Sequence, residues 1–541
     1  MPSIMAARRA HPPHRLWMAV WVAAMLLGDG ARAGVTTWTW PPASGLSETY
    51  RVFVRPGTGE EREVQVLMSR ARFEGDYRAK ELEGRTFSFV PLGIAADAMP
   101  LQVRVVKTFG AAAESVCVKP GRWQIAATLG AGGKEATFRV DAPDRYLSVH
   151  FAGPDNRTAS AGWIRHMLCL FIDPPESEIP SPGDPGVAVY SADAEPDVLR
   201  RASIIYIPPG FHDLRRARRG GVIEEDGRIV LGDGQQLYLA GGAFVEGLVE
   251  SGSPGFSGQR LFGRGVLSGR HYLWHGHPEH RGRSYRHIVG LGKASRVDGV
   301  TIIESPCHGI VAQTCRITRV KLLGWHCNND AVRVGKGSEI SHSFFRAVDD
   351  HFYNFAIHAH DVVLWAGHNG AILTYGWGGE EKTYNSGASL LEDIDIIHPE
   401  WTGLGNNNGL VAAQVGLDYR PFGYGGKSTT TLRNIRIEGA IPGLVNLKPF
   451  SGRDGIAAPQ VAPEKVGYLG DLVLENIEVD RQFGKGLLRG KAAAATDGSG
   501  IFRVRNVTFR DVRIGGVRIT SSNYPEFFDV DPHTTDGLAF E

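Results

Sequence analysis

Residues 326–377 read HCNNDAVRVGKGSEISHSFFRAVDDHFYNFAIHAHDVVLWAGHNGAILTYGW. This stretch holds one Asp, Asp330, and further along an adjacent Asp pair, Asp349 and Asp350. Short β-branched and apolar runs surround these acids, as at 331–334 and 361–365. If each run is one rung of a coiled sheet with a period of roughly 20 residues, the three acids fall at matching points of neighbouring rungs.

The second part of the chain repeats at regular intervals. Apolar positions recur first at steps of roughly 20 residues and later at steps of roughly 30 to 40, a range typical of solenoid repeats. These positions are Val300, Val320, Ile340, Val362, Ile394, Ile435, Ile477 and Val507. Such a period without helical segments is typical of a parallel β-helix, whereas the strands of ordinary β-sandwiches keep no fixed period. The tail from Ser521 lacks the rhythm, so we expect it to cap the solenoid or pack along it.

Residues 34–175 have a different pattern. Apolar and polar residues alternate at 50–54, 63–67, 101–105 and 123–125, with Gly and Pro turns between them. This alternation predicts an antiparallel β-sandwich. Several prolines in 173–185 mark the expected junction, which gives a sandwich domain at 34–175 and a β-helix domain at 176–541.

Residues 1–33 predict a secretory signal peptide. Arg8, Arg9 and Arg15 precede a short apolar run, and residues 31–33 form a small-x-small cleavage site. An uncleaved anchor is the alternative, but the run is too short to span a bilayer. The Arg8-Arg9 pair leaves a twin-arginine route open. We therefore expect a secreted protein, in the periplasm or the medium.

The charge balance excludes some partners. The chain has 59 basic and 58 acidic residues, and loss of four Arg and one Asp with the signal peptide takes the net charge from +1 to −2. A nearly neutral chain argues against nucleic acid and membrane partners and gives no support to an anionic polysaccharide. Five cysteines allow two disulfides, no zinc-type spacing occurs, and Cys327 is interpreted as a packing residue.

The three acids suggest hydrolysis of a glycosidic bond. Clustered carboxylates repel, so at least one should have a raised pKa, as a general acid needs. Direct displacement by water needs an acid and a base about 6.5–9.5 Å apart, which neighbouring coils can provide. For Asp349 and Asp350 to face one cleft, the chain must bend there. Turn-capping Asp residues or a calcium site are the alternatives.

Aromatic and amide side chains near the acids could hold a sugar. Tyr375 and Trp377 are expected to be exposed in a Gly-rich turn, while Trp365 is expected in the core. The predicted substrate-binding residues are Asn329, His368, Asn369, Tyr375, Trp377 and Trp274.

At these residues the sequence resembles glycoside hydrolase family 49, the dextranases and isopullulanases. The spacing of Asp330, Asp349 and Asp350 matches the family's three acids. Residues 365–377 (WAGHNGAILTYGW) resemble the family's W-x-x-H-N-x-x-I-x-x-x-G-W segment. Further upstream, residues 237–247 and 263–272 also resemble the family.

The resemblance implies an N-terminal β-sandwich, a right-handed β-helix and an inverting endo-hydrolase of α-glucans, most simply α-1,6-linked, without metal or cofactor. Asp349 would be the general acid, and Asp330 with Asp350 would position and deprotonate the water. The chain departs from the family pattern at residues 351–353, where the family has Ala-Ile-Lys, and at Gly370, where it often has Asp. We expect these changes to affect which sugar and which linkage the protein accepts more than they affect the type of reaction.

Other interpretations remain open at this point. A polygalacturonase-like hydrolase would need a basic groove, and a polysaccharide lyase would need Ca²⁺ with an Arg or Lys base. A non-catalytic solenoid would bind glycan without releasing reducing ends. For each we expect a polysaccharide ligand and a monomeric protein.

Overall fold

The computed structural model describes residues 34–70, 82, 84–159, 161–274, 287–377, 388–405, 407–420, 429–449 and 460–541. The predicted signal peptide, residues 1–33, lies outside the described residues. A β-sandwich precedes a parallel β-helix, which confirms the predicted all-β fold class. No helix among the described residues is long and apolar enough to cross a membrane.

The sandwich has two sheets, in the orders β1-β5-β11-β10-β7 (with β4 beside β5) and β3-β2-β6-β9-β8. All its strand pairs are antiparallel except β5 with β11. Its strands are β1 (Val35–Thr36), β2 (Tyr50–Pro56), β3 (Arg62–Val64), β4 (Leu67–Arg70), β5 (Thr86–Ile94), β6 (Leu101–Lys107), β7 (Ser115–Lys119), β8 (Thr128–Leu129), β9 (Glu135–Val140), β10 (Arg145–Ala152) and β11 (His166–Asp173).

The β-helix begins at Val187 and reaches Phe540. Its strands are β12 (Val187–Val189), β13 (Ile204–Ile207), β14 (Gly210–Asp213), β15 (Arg228–Leu231), β16 (Gln236–Leu239), β17 (Ala243–Glu246), β18 (Leu248–Ser251), β19 (Arg260–Gly263), β20 (Val266–Ser268), β21 (His287–Leu291), β22 (Ser295–Asp298), β23 (Thr301–Ile303), β24 (His308–Ala312), β25 (Cys315–Thr318), β26 (Lys321–Leu323), β27 (Val332–Val334), β28 (Glu339–Ser341), β29 (Phe344–Ala347), β30 (Phe352–Tyr353), β31 (His358–His360), β32 (Val363–Ala366), β33 (Ala371–Trp377), β34 (Leu390–Ile397), β35 (Gly409–Gln414), β36 (Thr430–Ile441), β37 (Val445–Leu447), β38 (Tyr468–Gln482), β39 (Gly486–Leu488), β40 (Lys491–Ala492), β41 (Ile501–Ile514), β42 (Val517–Arg518), β43 (Phe528–Val530) and β44 (Thr535–Phe540). Among the described residues, the α-helices are α1 (Pro196–Arg201) and α2 (Tyr524–Phe527).

Each central coil has three strands, as in β25, β26 and β27. The bend between its first and second strands is a single residue with positive φ, a conformation that Gly, Asn and Asp adopt most easily. Along the helix these bends are at Gly263, Gly299, Arg319, His342, Asp361, Asp393, Asn434, Asn476 and Asp511. The turn between the second and third strands is longer, and we call its successive copies the acidic corner. They are residues 304–307, 324–331, 348–351, 367–370 and, in the last copy, 398–405 with 407–408.

Inward-facing apolar side chains stack from coil to coil. Ile394 pairs with Ile435, Ile435 with Ile477, and Ile477 with Val512, and all four are buried. Because the unfolded chain exposes these side chains, the ladder supplies the main apolar stabilisation of the solenoid.

The register corrects two of the predicted repeat positions. Ile340 pairs with Ile317, so it is not equivalent to Val320. Val507 pairs with Leu472, and the partner of Ile477 is Val512. The apolar spacing predicted the wrong strand register at these two positions. Turn lengths change between coils, while every strand still presents an apolar residue inward.

One further local prediction was wrong. Residues 121–125 form no strand, since Gly121–Trp123 is a 3₁₀ turn that ends at Gln124 with a φ of 51°. The tail from Ser521 packs on the last coils of the solenoid, as predicted, and it does so by adding strands, with β43 pairing β39 and β44 pairing β41. All five cysteines are free, and Cys327 is buried as expected of a packing residue.

The sandwich packs against the second strands of the β-helix through aromatic side chains. Phe87 lies 5.7 Å from Trp365 and 6.1 Å from Phe344, and Phe171 lies 5.1 Å from Phe344 between ring centroids. Trp365 is therefore in a core, as predicted. This apolar interface fixes the sandwich beside the acidic corner.

A buried ion-pair network crosses the same interface. Arg85 of the sandwich donates to both carboxylate oxygens of Glu400 at 2.6 and 3.0 Å, and Arg346 and the Trp365 indole donate to the same carboxylate. Arg85 is 0% and Glu400 3% exposed. Burial acts to raise the pKa of Glu400, but the two guanidinium charges outweigh it and lower this pKa to about 2.

We predict that Glu400→Gln destabilises the protein by about 3–5 kcal/mol, because two buried guanidinium groups lose their counter-charge. The matched control is Glu475→Gln, whose partner Arg510 lies on the surface, and it should shift the transition far less. Urea unfolding at pH 7, followed by far-UV circular dichroism, measures both changes. Equal shifts for the two variants would contradict the prediction.

The network also predicts a pH dependence. Because the folded-state pKa of Glu400 lies below its ordinary value of 4.5, its stabilisation is complete above pH 4.5 and is lost as the pH falls toward about 2. Over this range the difference in unfolding free energy between wild type and Glu400→Gln should shrink. A constant difference from pH 5 to pH 2.5 would contradict this assignment.

Candidate active site

The backbone ladder brings the predicted acids to one corner. The backbone N–H of Ala331 donates to the carbonyl of Asp350 at 2.9 Å, and that of His351 donates to the carbonyl of Ala371 at 2.9 Å. Asp330 and Asp350 therefore occupy the same corner of neighbouring coils, as their spacing predicts. The corner that contains Asp330 has more residues than the corner that contains Asp349 and Asp350. These additional residues offset the longer sequence separation between the paired strands β26 and β29, so Asp330 and Asp350 still align.

The Asp349-Asp350 pair lies in a turn between β29 and β30. The backbone N–H of Asp350 donates to Oδ1 of Asp349 at 3.1 Å, so the chain bends at the pair as predicted. Asp330, Asp349 and Asp350 are 3%, 7% and 1% exposed. Three carboxyl groups from two coils are thus gathered in a site largely removed from water.

Asp330 is held in its ionised form. Its Oδ2 accepts a hydrogen bond from the Tyr353 hydroxyl at 2.5 Å and lies 3.1 Å from Nδ1 of His308. Burial acts to raise the pKa of Asp330, but the charge of His308 and the hydrogen bond of Tyr353 lower it overall. The same pairing raises the pKa of His308 well above its ordinary value, against the effect of its burial.

Asp349 has the opposite electrostatic character. Burial and the nearby charge of Asp330 raise its pKa to about 6. Its Oδ2 accepts hydrogen bonds from the backbone N–H of Asn328 at 3.0 Å and from Nδ2 of Asn369 at 2.7 Å, which limit the increase. Near pH 6 this carboxyl group can therefore both carry and release a proton.

Asp350 is the most deeply buried of the three. Burial first, and then the charges of Asp349 and Asp330, raise its pKa well above the ordinary value. Its Oδ1 accepts from the backbone N–H of Ala371 and from Nδ2 of Asn407, both at 2.8 Å. These two donors fix the orientation of the carboxyl group.

Gly370 supports the Asp pair from the next coil. Its φ is +77°, and a Cβ at this position would lie 2.3 Å from both the carbonyl carbon of Asp349 and the nitrogen of Asp350. Only glycine fits so close to this backbone. The departure from the expected Asp at this position therefore has a steric reason in this chain.

Two predicted sugar-binding residues lie at the rim of the site. His368 and Asn369 are half-buried on the coil after the Asp pair. The ring of His368 stacks on Trp163 of the sandwich at 5.5 Å and an interplanar angle of 20°. Asn369 reaches Asp349 directly, so both residues lie beside the acids, and their contact with a sugar stays a prediction.

Three other predicted sugar-binding residues are buried structural groups. Tyr375 is 1% exposed and packs on Tyr419 within the core. Asn329 is 0% exposed, and its Nδ2 donates to the carbonyl of Cys307 at 2.6 Å. Trp274 is 1% exposed, and its indole donates to the carbonyl of Cys327 at 2.7 Å. Trp377 ends β33, and its side chain lies outside the described part of the chain.

The sequence interpretation missed four residues of the site: His308, Tyr353 as a hydrogen-bond donor, Asn407 and Trp163. His308 opens β24, one coil before Asp330, so the coil period could have found it. Asn407 follows a longer insertion and Trp163 belongs to another domain, so no period connects either to the acids. Among the described residues, no group of three His, Cys, Asp or Glu side chains forms a metal-type cluster.

No protein-family model matches the chain. An isopullulanase from Aspergillus niger is 26% identical over 427 residues, which are 71% of this chain and 69% of the isopullulanase. A dextranase from Arthrobacter sp. (strain CB-8) is 28% identical over 168 residues, about a quarter (26%) of each chain. The solved structure of Dex49A from Penicillium minioluteum shares the fold over 94% of this chain and 99% of that chain, with a TM-score of 0.68 at 17% identity. The chain is thus similar to an isopullulanase and to dextranases, and these relatives support its assignment to glycoside hydrolase family 49.

Proposed function

We propose that the protein is a secreted, inverting endo-hydrolase of an α-glucan, most simply an α-1,6-linked glucan such as dextran. The observation that carries this proposal is the set of three buried carboxyl groups whose pKa values are moved in opposite directions. Two titratable groups with separated pKa values in one site are the requirement for acid and base working together.

Asp349 is the general acid in this proposal. A pKa of about 6 keeps it largely protonated in weakly acidic solution, and the same group is a good proton donor there. The hydrogen bond from Asn369 favours the carboxylate that remains after proton transfer.

Asp330 is the ionised partner. His308 and Tyr353 hold its negative charge within a buried site, where an isolated carboxylate would take up a proton. Asp350, oriented by Ala371 and Asn407, acts with Asp330 to position the water. The ionised state of Asp330 and the orientation of Asp350 are thus supported by different neighbours on different coils.

The reaction then needs one displacement. Asp349 transfers its proton to the glycosidic oxygen as the bond from that oxygen to the anomeric carbon breaks. Water adds to the anomeric carbon from the opposite face, and its proton passes to Asp330. One product keeps a new hydroxyl group, and the other is a new reducing end with the opposite anomeric configuration.

The substrate class is supported by the relatives and by charge. The relatives' names are isopullulanase and dextranase. The nearly neutral chain suits a neutral glucan better than an anionic polymer. Release of reducing ends from dextran, but not from polygalacturonate, by the purified full-length protein would support the proposal. No release from dextran, pullulan or any other α-glucan would refute it.

We predict that Asp349→Asn lowers hydrolysis by at least about a thousandfold, because the amide cannot donate a proton to the leaving oxygen. The fold and the glucan affinity should be preserved. The matched control is Asp361→Asn, a surface position on the bend between β31 and β32, which should keep wild-type rates. Reducing-end assays and circular dichroism measure the outcome. A folded Asp349→Asn variant with wild-type rates would rule out Asp349 as the acid.

The pH profile gives a separate test. Because the acid must be protonated, kcat/KM should fall as the pH rises above about 6. Asn369→Ala removes a hydrogen bond that favours the charged form of Asp349, so the alkaline limb should move to higher pH. Gln313→Ala, an exposed amide change elsewhere on the solenoid, should leave the limb in place. An alkaline limb that does not move, or moves to lower pH, in Asn369→Ala would contradict the assignment.

A further inference from the structure

An open cavity of about 550 Å³ lies between the sandwich and the β-helix. We call it the interdomain pocket. Its volume is in the range of small-ligand sites, which occur preferentially at domain interfaces. The residues that carry its chemistry are Arg157, Trp163, Trp365, Trp401, Arg481 and Phe483.

The pocket continues the line of the acidic corner. Trp365 pairs with Ile397 on the next coil, Ile397 pairs with Glu438, and Ala440 pairs with Arg481. Phe483, close after Arg481, is therefore four coils beyond the Asp349-Asp350 turn and follows the same strand edge. At about 4.8 Å per coil this distance is on the order of 19 Å, the reach of several sugar units.

Trp163 joins the pocket to the active site. This tryptophan lines the pocket with one part of its surface and stacks on His368, whose neighbour Asn369 donates to Asp349. A glucan chain that leaves the acids along the helix axis meets this indole first. The sandwich domain thus contributes a side chain to the path of the substrate.

The walls have the apolar surfaces that pyranose rings need. Phe483 is 52% exposed and is the aromatic member of the exposed large hydrophobic side chains in the described chain. The indoles of Trp365 and Trp401 pack beneath the pocket and are only 1% and 3% exposed, so Phe483 and the half-buried Trp163 supply its accessible aromatic faces. An exposed aromatic ring beside a tryptophan-lined cavity is costly in water and favourable against the C–H face of a sugar.

The rim also has hydrogen-bond donors for hydroxyl groups. Arg157 and Arg481 are exposed, and within the described ranges neither forms an ion pair. Their guanidinium groups each present several N–H donors in a plane, and no internal carboxylate competes for them. These donors can bind sugar hydroxyl oxygens without requiring a charged substrate.

We propose that the interdomain pocket is a distal subsite that binds further glucose units of the same α-glucan chain. This inference rests on the proposed function for the identity of the sugar. The pocket gives the enzyme a preference for long chains, because a glucan must span about four coils to contact both the acids and Phe483. Binding at the distal subsite adds to the affinity of long substrates only.

The test measures oligosaccharide binding in the inactive Asp349→Asn protein by isothermal titration calorimetry. The probes are isomaltose and an eight-unit isomalto-oligosaccharide. In this background, Phe483→Ala and Arg481→Ala should each weaken binding of the long probe by roughly three- to tenfold, the amount that one aromatic or polar contact supplies. Binding of isomaltose should not change. Phe483→Tyr, which keeps the ring, should restore the long-probe affinity.

Val517→Ala is the control, since Val517 is also an exposed apolar residue (49%) but lies on β42, away from the pocket. If wild type cleaves dextran but the Phe483 and Arg481 variants bind the long probe as tightly as their parent, the subsite is refuted and the proposed function stands. If wild type cleaves no α-glucan but long-probe binding depends on Phe483, the subsite stands and the reaction is wrong. No binding of either probe would refute both.

Discussion

Parallel backbone hydrogen bonds between successive coils determine where the three acids of this protein lie relative to one another. The bond from Ala331 to the carbonyl of Asp350 aligns two corners, and the bond from His351 to the carbonyl of Ala371 aligns the next. A ladder of this kind converts distance along the sequence into distance along one axis, about 4.8 Å per coil. The same ladder that stacks the isoleucines inside therefore stacks acids and amides at the acidic corner.

Burial at that corner is what makes three identical side chains chemically different. Water would hold all three aspartates at similar pKa values, whereas here each responds to its own neighbours. His308 and Tyr353 keep Asp330 charged. Burial and that charge raise the pKa values of Asp349 and Asp350. The Glu400 network follows the same rule across the domain interface, where two arginines keep a buried carboxylate ionised. The interface that joins the domains also brings Trp163 to the site.

The sequence predicted the fold class and the proximity of the three acids because both depend on a repeat that can be read from the sequence alone. It could not predict that Tyr375, Asn329 and Trp274 are buried, since a polar or aromatic residue near an acid can face either the cleft or the interior. In the structure Asn329 and Trp274 donate to backbone carbonyls, a role that depends on three-dimensional partners. The apolar positions Val320 and Ile340 suggested equivalence where none exists, because the corner lengths of the two coils differ.

Contacts from distant segments had no sequence signal at all. Asn407 reaches Asp350 from the second coil after it, and Trp163 reaches His368 from another domain. Gly370 differs from these contacts, because the sequence already showed glycine where the family often has Asp. The sequence did not show why glycine is needed there. Its close approach to the Asp pair appears only when the coils are stacked.

The central claim is that water replaces the glycosidic oxygen in one step between Asp349 and Asp330. Proton NMR during digestion of dextran by the full-length protein tests this claim directly, because it resolves the anomeric protons before mutarotation equalises them. We predict that the β-anomer of the new reducing end appears first and that the α-anomer grows in later. An initial burst of α-anomer would mean retention through a covalent intermediate and would contradict the roles assigned to the three acids.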